Sequence, residues 1–160
     1  MTAATRTAIR LGRADAHERD FHTWPREQGA RLRAGKLDAL GLENLVEEIE
    51  SPGRTQFDSL VGAWRIVMLH MLKFDHQPSR ATRSSAISIA THREAATDIL
   101  VDSPGLKSRL DEALERAYRR ARLEASKETS LLLTRFPQAC PYTLDNVLTR
   151  AFAIDPDETP

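Results

Sequence analysis

Leu60-Val61-Gly62-Ala63-Trp64-Arg65-Ile66-Val67-Met68-Leu69-His70-Met71-Leu72-Lys73-Phe74 is the stretch on which the reading of the chain turns. Only Arg65, His70 and Lys73 interrupt a run that is otherwise apolar on every side. A helix with so little polar face has to be covered by neighbours all round, because apolar surface is driven out of water wherever it points. The run falls short of the roughly 18 apolar residues that argue for a membrane span, and it carries charge. It therefore reads as the central helix of a helical domain, and no membrane contact is expected.

On its N-terminal side, Leu42, Leu45, Val46 and Ile49 recur at helical spacing beside Glu43, Asn44, Glu47, Glu48 and Glu50. This predicts a short amphipathic helix with an apolar stripe and a solvated acidic side. Ser51-Pro52-Gly53 then intervenes, and an interior proline removes a backbone hydrogen bond and clashes with the preceding turn. Residues 42–75 read as one kinked helix or as two, with two favoured. Earlier still, Phe21, Trp24, Gln28 and Leu32 form a stripe with one polar member. Asp15 or Asp20 can cap that helix, a start near Trp24 makes Pro25 tolerable, and Gly35 is its stop.

Beyond the central run, a helix is predicted over about Ser84–Asp102, punctuated by Ser103-Pro104. A long helix follows from about Pro104 to Ser130, with Leu106, Leu110, Ala113, Leu114, Ala117, Tyr118, Ala121 and Ala125 on one face. Glu112/Arg116 and Glu115/Arg119 stand four apart, acid first, the order that supports a helix. Phe136-Pro137 and Cys140-Pro141 make an irregular strap, and Thr143 caps a last short helix to about Phe152. No two-residue alternation or internal repeat is present. The expected fold is all-α, an up-and-down bundle of about five main helices around the central apolar helix. Residues 1–14 read as a flexible N-terminal tail, 15–153 as a single helical-bundle domain, and 154–160 as a flexible acidic tail.

The 160 residues carry 23 basic and 23 acidic side chains. No third of the chain is strongly basic, so the electrostatic footprint of a nucleic-acid binder is missing and no nucleic-acid partner is expected. Cys140 stands alone, which excludes a disulfide framework and fits a reducing cytoplasm. It reads as a buried structural cysteine. Residues 1–14 lack the apolar core of a secretory signal.

Several ordered segments together resemble one known family. They are Asp20-Phe21 with Trp24 and Gln28, then Leu42-Glu43-Asn44-Leu45-Val46-Glu47-Glu48-Ile49-Glu50, then His70-Met71-Leu72-Lys73-Phe74 with Gln77-Pro78. Arg93, Asp102-Ser103-Pro104, Glu128-Thr129 and Phe136-Pro137-Gln138-Ala139-Cys140-Pro141-Tyr142 complete the set. Over about Asp20 to Phe152 the chain resembles the bacterial family catalogued as domain of unknown function number twenty-nine. Phe74 and Ser85 occupy positions where tryptophans are expected, and Pro52 is foreign to a stretch that is usually uninterrupted helix. The resemblance implies an all-helical bundle and brings no known activity, substrate or cofactor.

The residues offer few sites for chemistry. The histidines His17, His22, His70, His76 and His92 form neither a Glu-x-x-His pair on two helices nor a His-x-x-x-His pair, so no metal is expected. No glycine-rich phosphate loop, serine elbow or nucleotide fingerprint occurs, so no cofactor is expected. Arg109, Arg116, Arg120 and Lys127 share one edge of the long helix, which reads as a charged flank. Arg93 falls at the centre of one apolar helical face and Glu128 near the centre of another. Buried charges are normally paired, so Arg93 and Glu128 are expected as one internal pair, with Glu48 as the second-choice partner for Arg93. The best functional reading is an interaction module with no catalytic activity of its own, whose partner is another protein or a second copy of itself. The rival is a hydrolase-like enzyme using Glu47, Glu48, His70 and Arg93 around an internal cleft.

Overall fold

The computed structural model describes Asp20 and residues 22–153. The expected tails over 1–14 and 154–160 lie outside the described residues, as do Asp15, His17, Glu18 and Phe21. The fold is all-α, with five α-helices and no strand among the described residues. The chain divides into two compact units, Met1–Arg54 and Thr55–Pro160.

In the first unit, α1 covers Trp24–Arg33 with proline in its first turn, where the missing N–H costs no helical bond. Just before it, the Asp20 carboxylate accepts from the backbone N–H groups of His22 and Thr23 at 3.2 and 2.9 Å. The helix stops where expected. Gly35 takes a left-handed φ of 67°, and Lys36 N–H reaches back to the Arg31 carbonyl at 3.0 Å, closing the last turn. Gln28, the polar member of the predicted stripe, is buried, and its Oε1 accepts from the Gly41 N–H at 3.0 Å. A buried amide oxygen thus has its partner, and Trp24 packs beside the same glycine.

The next helix corrects the two-helix expectation. α2 is continuous over Leu42–His76, 35 residues with Pro52 in its interior. Proline lacks the N–H that would reach the Glu48 carbonyl, and Arg54 braces the same turn one carbonyl earlier. Its guanidinium donates to the Glu47 carbonyl and to the Glu50 carboxylate, both at 3.2 Å.

In the second unit, the α2 segment from Thr55 onward is the centre of an up-and-down bundle. Leu60, Val61, Trp64, Val67, Met68, Met71 and Leu72 are all completely buried. α3 (Arg83–Asp102) begins at Thr82, whose hydroxyl accepts from the Ser85 N–H at 3.2 Å. It contributes Ile89 and Ala96 to the core. The predicted helix over 104–130 begins instead as a 3-10 segment, Pro104–Arg109, and becomes α4 only at Leu110–Thr129. Proline lacks a donor and glycine is a poor helix former, so the first turns tighten. α4 presents Ala113, Ala117, Ala121 and Ala125 to the core, every fourth residue, all fully buried. Such a small-residue spine lets two helix backbones approach closely. α5 (Leu144–Thr149) opens with a reciprocal capping box between Thr143 and Asn146 and ends three residues before the predicted Phe152. No helix of the described residues is long and apolar enough to cross a membrane.

Candidate functional site

The second unit carries a cleft of about 520 Å³ between the outer side of α4 and the strap that follows it. Its walls begin with two tyrosines. The Tyr118 and Tyr142 rings stand at 81° with centroids 6.3 Å apart. Both hydroxyls are already engaged: Tyr118 donates to the Pro137 carbonyl at 2.7 Å, and Tyr142 donates to Asp75 Oδ2 at 2.7 Å. Arg122 ties the strap from below, donating to the carbonyls of Phe136 and Leu133 at 3.1 Å each. Proline-rich chain whose own helical bonds end with one 3-10 turn, Leu133–Arg135, is thus held by side chains from α2 and α4.

A second layer of bonds fixes the far end of the strap. Arg150 grips Asp75 through two contacts of 3.0 and 2.5 Å. Arg93 of α3 donates to the carbonyls of Val147, Arg150 and Asn146 at 2.6, 2.8 and 3.1 Å. Those carbonyls lie at the C-terminal end of α5, where a cation is favoured; the Asn146 carbonyl also accepts the Arg150 N–H at 3.2 Å.

The electrostatics follow from this packing. Burial works against the Asp75 charge, but hydrogen bonds from Arg150 and Tyr142 outweigh it and hold the carboxyl below its ordinary range. Burial, reinforced by the neighbouring Cys140, pushes the Tyr118 phenol up to about 12. Tyr142 is raised further, by burial and then by Asp75. Cys140 faces the same cleft and donates to the Tyr142 carbonyl at 3.5 Å, and burial is the main cause that raises its thiol. A thiol held protonated is a poor nucleophile, and Cys140 is half-buried on the cleft wall rather than buried in the core as the sequence reading expects. Asp111, Glu115, Arg119 and Gln138 stand exposed around the mouth.

The residues singled out from sequence are not brought together here. The Arg93–Glu128 pair is corrected: Arg93 is half-buried and spends its N–H groups on carbonyls, while Glu128 pairs with Lys73 at 2.7 Å on the surface. Thr129, one position on, is the buried residue, so the helical phase was off by one. Glu47 and Glu48 belong to the first unit, and His70 and Arg93 to the second. His70 Nδ1 is buried with no hydrogen-bond partner among the described residues, and burial followed by Lys73 lowers its pKa against the opposing pull of Glu128. The expected Glu112/Arg116 pair is replaced by Arg109–Glu112 at 2.8 Å and Arg116–Asp58 at 3.3 Å. Arg109 also lies 3.8 Å over the Phe57 ring, so Arg109 and Arg116 of this flank are engaged within the protein while Arg120 and Lys127 stand exposed. Among the described residues no group of three His, Cys, Asp or Glu side chains is arranged to hold a metal. Sequence reasoning missed Asp75, Tyr118, Tyr142 and Arg150 as a connected set, and the clustering of Tyr142 with Cys140 in the strap motif was the signal that pointed to it.

The first unit holds a different feature. Leu42, Val46 and Ile49 are 60, 53 and 69% exposed, while Asn44, Leu45, Glu48 and Ser51 on the adjoining side are partly covered. The predicted apolar stripe therefore points outward, which corrects the expectation that only the acidic side is solvated.

These observations define the class as an all-helical bundle with a strap-walled cleft and an outward apolar stripe on an acid-rich helix. The family model described as Domain of unknown function DUF29 matches residues 16–153, and the chain belongs to that family. Neither the curated proteins nor the solved structures contain a match.

Proposed function

We propose that this protein is an interaction module that receives a basic amphipathic helix of a partner protein on the Leu42–Val46–Ile49 face. The observation that carries the reading is the exposure of those three aliphatic side chains, 60, 53 and 69%, in one stripe of α2. Each gains roughly 1.5–3 kcal/mol on full burial. Three together, less the cost of association, support docking of about micromolar strength. The flank supplies the sign of the partner. Glu43 and Glu47 stand exposed beside the stripe, and among the described residues neither has an ion-pair partner. A two-fold pairing of the stripe with a second copy sets this acidic flank against itself, because an isologous interface brings the same patch from both sides. A partner with Lys or Arg beside its own apolar stripe meets the charge instead. A cytoplasmic setting agrees with the lone unpaired thiol. The hydrolase alternative finds less support, since Arg93 is committed to three backbone carbonyls.

The test is fluorescence anisotropy with two designed helical peptides of identical leucine pattern, one flanked by lysine and one by glutamate. The lysine peptide should bind at about micromolar strength, and weaken at least about tenfold in Val46→Gln/Ile49→Gln and on raising salt. Equal binding of both peptides, or no loss in the double variant, overturns the proposal. So does a dimer in sedimentation that the same variant dissolves, since that outcome makes the occupant a second copy.

A further inference from the structure

The cleft between α4 and the strap belongs to the second unit, whereas the stripe belongs to the first. We infer that it binds a small zwitterion, an amine and a carboxylate carried on an apolar body. Its volume of about 520 Å³ falls within the range of roughly 300–1,000 Å³ that holds small ligands. Its aromatic walls are set before any ligand arrives. Both tyrosine hydroxyls are engaged at 2.7 Å, so what Tyr118 and Tyr142 offer the cleft is ring surface in a fixed orientation. The protonated, half-buried Cys140 thiol adds a polarizable apolar wall and no nucleophile.

The polar groups at the mouth set the ligand's charge pattern. Glu115 and Arg119 are four apart on α4 with the acid first, the arrangement that closes an ion pair on a plain helix. Neither makes an ion pair with any described residue, although Arg109, Arg116 and Arg122 on the same helix and its lead-in are all engaged. Both side chains line the cleft. An ammonium group seated against Glu115 and a carboxylate seated against Arg119 would take up charges that the protein leaves apart. An anion alone would meet the surplus negative charge of Asp111 and Glu115, and a cation alone would leave Arg119 unused. The zwitterion is the charge pattern that uses both.

Three probes share one apolar body and differ only in charge: L-phenylalanine, phenethylamine and hydrocinnamate. Binding is read by nuclear magnetic resonance from the ring protons of Tyr118 and Tyr142, the two tyrosines of the chain. Phenylalanine should shift both rings, bind at about millimolar strength or tighter, and bind at least tenfold more tightly than either singly charged probe. Glu115→Gln and Arg119→Gln, both at exposed positions, should each weaken phenylalanine about tenfold while leaving the thermal midpoint and the lysine-peptide affinity unchanged. Retained peptide binding with lost phenylalanine binding separates this site from the stripe. No shift by phenylalanine at about ten millimolar overturns the inference, as does wild-type affinity in both variants. Phenethylamine binding as tightly as phenylalanine also overturns it, in favour of a plain cation site.

Discussion

Arg93 donates to three backbone carbonyls at the end of α5, and among the described residues no carboxylate is its partner. Helical phase correctly carried it to a face that packs against the protein. Phase could not tell what lies opposite, because the acceptors belong to a segment more than fifty residues away whose bends have no periodic signature. Glu128 went wrong for a smaller reason: one residue is 100° of rotation, and Thr129 occupies the buried direction. The two substitutions should therefore behave independently. Arg93→Met strands acceptors at a helix end and should cost about 2–3 kcal/mol, the scale of hydrogen bonds from a charged group. Glu128→Gln breaks only an exposed pair with Lys73 and should cost under about 1 kcal/mol. Urea unfolding of both single variants and the double variant checks this, with additive losses expected; a coupling above about 1 kcal/mol would restore the internal pair.

At the scale of elements, the helices were legible because an apolar run or a 3.6-residue stripe leaves a local record. The strap was not, since its shape comes from Tyr118, Arg122 and Asp75 reaching it from elsewhere. Pro52 shows the reverse case: a local breaker signal was present, and the helix nevertheless continues through it with Arg54 donating into the turn. Asp75 clamps both Tyr142 of the strap and Arg150 after α5, and its folded pKa lies below the ordinary 3.8. A depressed carboxyl contributes stability in full above its unfolded pKa and loses it as pH falls through the lower folded value. The strap and α5 should thus loosen as pH drops below about 4. Asp75→Asn should be less stable at neutral pH and show a flatter acid limb in stability against pH. Parallel acid limbs in variant and parent would show that Asp75 carries none of the acid sensitivity.

At the scale of the whole molecule, balanced charge, a single cysteine and one all-round apolar helix were enough to read an all-α bundle. They could not say which face of the 42–50 segment looks outward. Periodicity marks an apolar stripe, and an inward core stripe and an outward docking stripe carry the same pattern. The account's central claim rests on that distinction. Unfolding free energies measured in urea for Val46→Gln/Ile49→Gln, beside Trp64→Ala as the core reference, test it most directly. Trp64 is completely buried in the centre of the bundle, so Trp64→Ala should cost about 3–5 kcal/mol. With Val46 and Ile49 facing solvent, the double variant should stay within about 0.5 kcal/mol of the parent, as exposed substitutions to a good helix former do. A loss above about 2 kcal/mol in the double variant would mean that the stripe is buried core, and would contradict the docking surface built on it.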